Sequence, residues 1–316
     1  MKDSRDRSHV DRRTFLLGSA AAGLLTAQTK KSETPRPSAN ARTYELNRNW
    51  LFGGKARGGV SAPTFDDSAW QKVTLPHTNV RLPWHSFDES AFQYVSAYRR
   101  HFRALPEWQG RRVFLDFDGA MAATKVTVNG HAFDEFKGGY TPFHFELTPH
   151  LKFGGDNVIA VELDSTERAD IPPFGGNIDY LTFGGIYRDV RIRVVPQTFI
   201  DNIYAKPVRP LSSDRSLAVR CYLAGAVDRP ATLTVELRDG AKVLKTATAT
   251  VSGAAEYHDV AIEALPEVEL WSLGHPKLYD VTARLRNGDG SGDEYHTRVG
   301  FREARYTPSG FMLNGE

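Results

Sequence analysis

The sequence contains one cysteine, no long hydrophobic run and no signature of a metal or phosphate site. Cys221 alone cannot form an intramolecular disulfide. The ten histidines are scattered, without a His-Glu-x-x-His or paired-cysteine motif, and the Gly-Gly pairs lie among β patterns and do not open a helix. A Gly-x-Ser-x-Gly nucleophile elbow is also missing. The sequence therefore predicts neither a metal site nor a phosphate-binding loop.

Neither positive nor negative charge is in large excess. The formal net charge is +2, and residues 1–27 account for all of it, with five basic and three acidic residues. The rest of the chain is neutral and has no run of lysine or arginine. This balance argues against nucleic acid and anionic lipid as partners, because both attract basic surfaces.

The N-terminus has the pattern of an export signal. Arg12 and Arg13 precede an apolar stretch that is broken by glycines and is too short to span a bilayer. We interpret residues 1–27 as a twin-arginine signal peptide, which predicts a periplasmic or extracellular protein with no membrane attachment after cleavage. Residues 28–43, rich in proline, serine and charge, are predicted to be a disordered spacer. The alternative is a frayed cytoplasmic tail.

From residue 44 onward, apolar and polar residues alternate and helical periodicity is missing. Val113, Leu115 and Phe117 share one predicted strand face, and Asn129-Gly130 is a strong hairpin signal. This all-β pattern predicts a β-sandwich over residues 44–196. Prolines at 196, 207 and 210 are interpreted as a junction.

A second series of strands follows that junction. In "LAVRCYL", residues 217–223, alternate positions place Cys221 on a buried face, so we expect an inert core thiol. The turn pairs Asp239-Gly240 and Asn287-Gly288 end further alternating runs. Their spacing predicts an immunoglobulin-like sandwich over residues 197–301.

Two segments are candidates for a binding site. "PPFGGNIDYLTFGGIYRDVRIRVV", residues 172–195, presents Asp179 and Tyr180, and an aspartate beside aromatic rings suits sugar recognition. The alternative is a structural loop in which Arg188 pairs with Asp189. The turn-rich segment 77–94 offers Trp84 and His85 to a sugar pocket, or else caps the sandwich with its aromatic residues.

An ordered set of motifs resembles glycoside hydrolase family 2, which includes β-galactosidases, β-glucuronidases and β-mannosidases. The motifs are "FDDSAWQKVTLPHT" at 65–78, "YRRHF" at 98–102, "VTVNGHAF" at 126–133, "YTPFHFELT" at 140–148, "FGGIYRDV" at 183–190, "LWSLGHPKLYDVTARL" at 270–285, "GFR" at 300–302 and "GFMLNGE" at 310–316. The resemblance covers nearly everything from about residue 44 onward.

The resemblance implies a jelly-roll sugar-binding domain, an immunoglobulin-like domain and, after the lead-in at residues 302–316, a (β/α)₈ barrel. It also implies retaining hydrolysis of a β-glycoside by two glutamates from that barrel. No residue of the 316 is therefore assigned as catalytic, and we expect the chain alone to be inactive. The barrel in cis, a β-glycoside or glycan, and copies of the same chain are the implied partners.

One residue role follows from the resemblance. In β-galactosidases of the family, an aspartate just upstream of the Gly-Ile-aromatic-Arg-Asp-Val motif contacts the terminal sugar and, in some members, a sodium ion. Asp179 stands at the matching place. Leu181 replaces a tryptophan of some members, which weakens the sodium expectation more than the sugar contact. No cofactor is expected within this chain.

Two other functions compete with the hydrolase interpretation. A free-standing exported carbohydrate-binding protein would use the same sandwich to hold a glycan without cutting it. A purely structural adhesion module would bind no glycan at all. The lead-in at residues 302–316 favours the hydrolase.

Overall fold

The computed structural model describes residues 35–37, 42–81, 88–172, 182–253, 255–265 and 268–316. Within these ranges, helical structure is limited to three single turns of 3₁₀-helix, Glu89–Ala91, Pro106–Trp108 and Thr148–His150. None of the described helices is long and apolar enough to cross a membrane. Everything else that is regular is β-structure.

The described part of the first sandwich contains twelve strands, all paired antiparallel. They are β1 (Arg36–Pro37), β2 (Thr43–Glu45), β3 (Trp50–Lys55), β4 (Gln71–Val73), β5 (Val95–Arg103), β6 (Arg112–Phe117), β7 (Ala123–Val128), β8 (His131–Ala132), β9 (Phe136–Lys137), β10 (Phe143–Glu146), β11 (Asp156–Asp164) and β12 (Val190–Val195). One sheet has the order β1-β2-β12-β6-β10. The other has the order β4-β3-β5-β11-β7-β8, and β9 also pairs with β7.

The core of this sandwich lies between the two sheets and is rich in aromatic residues. As the alternation predicts, Val113, Leu115 and Phe117 of β6 are completely buried. Phe117 stacks on Phe143 of the neighbouring strand with ring centroids 4.8 Å apart. Burial of each such side chain stabilises the fold by about 1.5–3 kcal/mol.

The hairpin between β7 and β8 turns at Asn129-Gly130 as the sequence predicts. Both residues have positive φ, 52° and 90°, which matches the tight turn that Asn-Gly favours. The Asn129 amide also donates to the Asn157 side-chain oxygen at 2.8 Å and so links the turn to β11. The pair therefore sets a long-range contact as well as a turn.

A buried ion pair holds the segment before β4 against β5. Arg99 Nε donates to Asp67 Oδ2 at 2.8 Å, and both side chains are almost fully buried. His101 Nε2 lies 2.6 Å from the same carboxylate oxygen. The Arg99 guanidinium also bonds to the carbonyls of Val60 and Ala62. The loop is thus fixed by charge-assisted hydrogen bonds.

The second sandwich has strands β13 (Phe199–Val208), β14 (Ser216–Ala224), β15 (Val227–Asp239), β16 (Lys242–Gly253), β17 (Tyr257–Ile262), β18 (Tyr279–Arg286) and β19 (Gly292–Val299). They form a three-stranded sheet, β13-β14-β17, and a four-stranded sheet, β16-β15-β18-β19. The predicted order of a jelly-roll sandwich and an immunoglobulin-like sandwich is confirmed. Pro207 lies inside edge strand β13 and not in a linker, because an edge strand can spare a backbone donor.

The core of the second sandwich is mainly aliphatic. Leu217, Val219 and Cys221 of β14 face it and are at most 1% exposed. The predicted core position of this thiol is confirmed. Burial raises the pKa of Cys221 to about 12, which supports the prediction that the thiol is inert.

Parts of the segment predicted as a spacer belong to the fold. Strand β1 pairs with β2, and Arg42 is only 8% exposed. The Arg42 guanidinium lies 3.2 Å from Asp293 and donates to the carbonyl of Ile200, so it bridges the two sandwiches. The junction also contains Phe199, whose ring packs against that of Phe114 with ring centroids 5.7 Å apart.

The chain ends in a hairpin, β20 (Ala304–Thr307) and β21 (Gly310–Leu313). Asn314 follows it with a φ of 55°. Its side chain accepts from the Glu303 backbone N–H and donates to the Trp271 carbonyl, both at 3.0 Å. These bonds tie the hairpin to the second sandwich.

Candidate functional site

All four sequence-predicted contacts lie outside the described residues. Trp84 and His85 belong to residues 82–87, and Asp179 and Tyr180 to residues 173–181. Their roles therefore stay predictions. The structure does describe the framework from which both segments leave the first sandwich.

The two segments leave that framework at one edge. The His77 backbone N–H donates to the Ile186 carbonyl at 2.8 Å, and that of Asn79 to the Gly184 carbonyl at 2.9 Å. Residues 77–79 and 184–186 therefore run side by side. Since Asn79 lies three residues before residue 82 and Gly184 three residues after residue 181, the predicted contacts begin from neighbouring points of the chain.

The glycine pair of "FGGIYRDV" permits this close approach. A Cβ at Gly184 would lie 2.4 Å from Ser165 Oγ, and one at Gly185 would lie 2.4 Å from the His77 carbonyl oxygen. Gly185 also has a φ of 125°, which L-residues rarely adopt. The motif is thus a packing requirement of this edge.

Asn79 joins three segments of the edge, although the sequence did not mark it as functional. Its amide donates to the Phe92 carbonyl at 2.8 Å, and its own carbonyl accepts from the Tyr94 hydroxyl at 2.7 Å. The side chain is buried, and its Oδ1 has no hydrogen-bond partner among the described residues. Asn79 therefore holds together the chain segments that adjoin both predicted contact segments. Its sequence signal is its place in the turn-rich segment 77–94.

Aromatic side chains line the same edge. Phe183 is 44% exposed, and its ring centroid lies 6.5 Å from that of buried Phe92. Beneath them, His77 Nδ1 lies 3.0 Å from the Tyr98 hydroxyl. Burial lowers the pKa of His77 and raises that of Tyr98. Both groups are therefore uncharged at neutral pH, and of these rings Phe183 is the one exposed to a ligand.

The interpretation that Arg188 pairs with Asp189 is wrong for the described residues. Arg188 lies over the Tyr187 ring, 5.5 Å from its centroid, and donates to the Tyr140 carbonyl at 3.4 Å. Asp189 accepts instead from the Asn47 amide at 3.0 Å. The side chains of the motif thus bond outward to neighbouring segments, which favours a role in shaping the edge.

A cluster of charges holds the chain just before residue 173. Arg168 donates to Asp170 at 3.0 Å and to Glu135 at 3.2 Å, and Lys137 Nζ lies 2.6 Å from Asp170. The hydrogen bonds from Arg168 and then Lys137 hold the pKa of Asp170 well below its usual range. Asp170 is therefore ionised at neutral pH.

Within the described ranges, no three or more His, Cys, Asp or Glu side chains cluster closely enough to hold a metal ion. Glu135 and Asp170 are both paired with basic side chains. The edge can bind and orient a ligand through ring surfaces and hydrogen bonds.

Comparison with known protein families identifies the family of the chain. The model of the sugar binding domain of glycosyl hydrolases family 2 matches residues 41–196. The model named for glycosyl hydrolases family 2 matches residues 198–302. The chain belongs to glycosyl hydrolase family 2.

Curated family 2 relatives match both sandwiches. A β-galactosidase of Thermoanaerobacterium thermosulfurigenes is 34% identical over 277 residues, which are 85% of this chain and 38% of that protein. A β-glucuronidase of Bacteroides fragilis is 31% identical over 86% of this chain and 39% of its own length. The chain therefore spans less than two fifths of these relatives.

Solved structures give the same result for the fold. A Bacteroides uniformis β-glucuronidase 2 superimposes with a TM-score of 0.75 and 29% identity, over 87% of this chain and 34% of that chain. A structure described as a putative β-galactosidase from Bacteroides fragilis has a TM-score of 0.73 and 27% identity. The family 2 sugar-binding and immunoglobulin-like domains that the motifs predicted are thus confirmed.

Proposed function

We propose that these residues are the non-catalytic, sugar-binding part of an exported family 2 glycosidase that hydrolyses β-glycosides with retention. One observation carries the proposal. The match to curated β-galactosidases covers 85% of this chain but 38% of the relative, so most of the relative has no counterpart here. Relatives named as β-galactosidases and β-glucuronidases set the substrate class of the proposal.

In the complete enzyme, a barrel would supply the acid and the nucleophile. The edge of the first sandwich would form part of the pocket wall, with Asp179 and Tyr180 from one segment and Trp84 and His85 from the other. The exposed ring of Phe183 lies at this edge and can cover an apolar sugar face. Asn79 and the Gly184-Gly185 pair would set where these contacts begin.

Asp179 is the proposed sugar contact with the largest effect, because a carboxylate accepts hydrogen bonds from sugar hydroxyls more strongly than a neutral group does. Sodium beside Asp179 belongs to the same proposal, and no step of the proposed function depends on that ion. Association of copies of the complete enzyme through these domains is a further part of it.

The first experiment compares the chain with the complete gene product. Aryl β-galactoside and β-glucuronide should be hydrolysed by the complete product and not by residues 28–316. Intact mass from source cells accompanies the assay, since a product near 35.2 kDa would favour the free-standing binding protein. Turnover by the isolated residues would show that the catalytic carboxylates lie within them.

The second experiment replaces Asp179 in the complete product. Asp179→Asn should lower kcat/KM by about 10- to 100-fold, as expected when a charged hydrogen bond is lost. The matched control is Asp214→Asn, an exposed aspartate of the second sandwich, which should leave kcat/KM unchanged. Equal kinetics for both variants would make Asp179 a structural residue.

Export is tested separately. If residues 1–27 are a twin-arginine signal, replacement of Arg12 and Arg13 by lysine should leave the product in the cytoplasmic fraction. Unchanged export would reject the twin-arginine route without affecting the sugar-binding proposal.

A further inference from the structure

The outer face of the three-stranded sheet in the second sandwich carries three tyrosines. The strand register places Tyr222 of β14 beside Tyr257 of β17, and Tyr204 of β13 beside Arg220. Tyr204 is 59% exposed and Tyr257 is 43% exposed. We call Tyr204, Tyr222 and Tyr257, with Arg220 and Asp259, the tyrosine face. Its residues lie opposite the buried face that contains Cys221.

The charges of the tyrosine face satisfy each other. Arg220 donates to both oxygens of Asp259, at 2.8 and 2.9 Å. The guanidinium carbon also lies 3.9 Å from the centroid of the Tyr257 ring, and that ring lies 6.0 Å from the ring of Tyr222. The bidentate ion pair with Asp259 holds the Arg220 guanidinium in place, and the guanidinium stacks on the Tyr257 ring and so fixes its orientation. The face is therefore a set of oriented planar groups around one satisfied ion pair.

The tyrosine face is small compared with a typical protein interface. Three adjacent strands and five residue positions along them cover about 10 Å by 14 Å, or about 140 Å². A stable protein interface needs about 800 Å² on each partner. The neighbouring outward positions on β14 and β17, Ala218 and Ala261, add little apolar area. A face of this size suits a small or narrow ligand.

The chemistry of the face matches a neutral carbohydrate. A pyranose offers an apolar C–H face to an aromatic ring and a rim of hydroxyls to hydrogen-bonding groups. The Tyr204 hydroxyl has no hydrogen-bond partner among the described residues, and the ionised Asp259 keeps acceptor lone pairs beyond those used by Arg220. The exposed rings of Tyr204 and Tyr257 thus lie beside polar groups on one face of the sheet, and Arg220 covers one side of the Tyr257 ring.

We propose that the tyrosine face binds a neutral glycan chain, with Tyr204 and Tyr257 as its stacking residues. The proposal does not rest on the proposed hydrolase function, because a glycan can bind this face whether or not a barrel is joined to the chain. It assigns a binding role to the second sandwich in addition to its place between the first sandwich and the C-terminal hairpin.

Affinity electrophoresis of the chain tests the proposal, with β-1,4-galactan, glucomannan and xyloglucan in separate gels. At least one polysaccharide should retard the protein. Tyr204→Ala and Tyr257→Ala should each weaken the apparent affinity by about tenfold or more, as for a central aromatic contact. Tyr306→Ala is the matched control, because Tyr306 is 86% exposed on the terminal hairpin and lies outside the face. It should migrate like the wild type.

A further variant separates lost stacking from lost folding. Tyr204→Trp keeps an aromatic ring on an exposed edge-strand position and should retain retardation, while Tyr204→Ala loses it at an unchanged melting temperature. No retardation in any gel would overturn the proposal, as would equal weakening by Tyr306→Ala. Light scattering provides the remaining outcome: a dimer that Tyr204→Ala dissociates would assign the face to a second copy and likewise overturn glycan binding.

Discussion

The two sandwiches share an architecture but bury different kinds of residue. Among the described residues, ten polar or charged residues are buried in the first sandwich, whereas Ser216 and Thr282 are the two in the second. In the first, Asn79 and Ser165 bond to loop carbonyls across the edge where the predicted sugar contacts begin. Buried polar groups thus fix loops, while an aliphatic core only holds strands together. The edge formed by residues 77–79 and 184–186, whose loops are fixed by buried polar groups, therefore belongs to the first sandwich.

The test with the largest expected effect compares two arginine–aspartate pairs. In each pair the arginine Nε lies 2.8 Å from a carboxylate oxygen. Arg99–Asp67 is buried, with 0% and 2% side-chain exposure, and Arg220–Asp259 is open, with 39% and 58%. Asp67→Ala should cost about 3–5 kcal/mol, because it leaves a buried guanidinium without its counter-ion. Asp259→Ala should leave the free energy of unfolding unchanged. Urea denaturation measures both, and equal losses would break the comparison.

The second test concerns glycines. Gly185→Ala should destabilise the protein by about 3 kcal/mol, because its Cβ meets the His77 carbonyl at 2.4 Å and the neighbouring backbone cannot move aside. Gly240→Ala has open space and a φ of 54°, so it should cost about 1 kcal/mol. The denaturation midpoints of the two variants test this difference in stability. A cheaper Gly185 variant would mean that the edge can relax.

The third test is the dependence of stability on pH. Burial lowers the pKa of His77 below its ordinary value of about 6.5, so the unfolded chain binds a proton that the native state refuses. The contribution of neutral His77 to the free energy of unfolding is therefore fully present above a pH of about 6.5. It is lost as the pH falls towards the native pKa of His77. His77→Gln should show a smaller loss of stability between neutral and mildly acidic pH. Identical pH curves would contradict this role.

The smallest effect is expected in the second sandwich, at Cys221. Because the thiol is fully buried and its pKa is raised to about 12, native protein should not react with a thiol reagent at neutral pH. One equivalent should react after denaturation in guanidinium. Rapid reaction of native protein would show that the second core opens more readily than its packing indicates.

Sequence patterns predicted the strands well where burial alone decides them. Val113, Leu115 and Phe117 alternate because one sheet face meets the core, and that period is visible without a structure. Pro207 was misread as part of a junction, because its edge position depends on which strand lies beside it. Local spacing carries no information about that neighbour.

The candidate site was less predictable for the same reason. Asn79 holds this edge together only because Phe92 and Tyr94, 13 and 15 residues away, and the much more distant Gly184 lie around it. The family motif marked Gly184 and Gly185, but their function as gaps for Ser165 and the His77 carbonyl needs three-dimensional contacts. The roles of Asp179, Tyr180, Trp84 and His85 remain predictions.

The contact of Arg42 with the second sandwich has a consequence for synthesis on the ribosome. Arg42 donates to the Glu294 carbonyl, 252 residues further along the chain. At about 5–20 residues per second, that carbonyl leaves the ribosome about 10–50 seconds after Arg42 does. The first sandwich therefore has time to fold before this bond can form, and the two domains lock together only after residue 294 has left the ribosome.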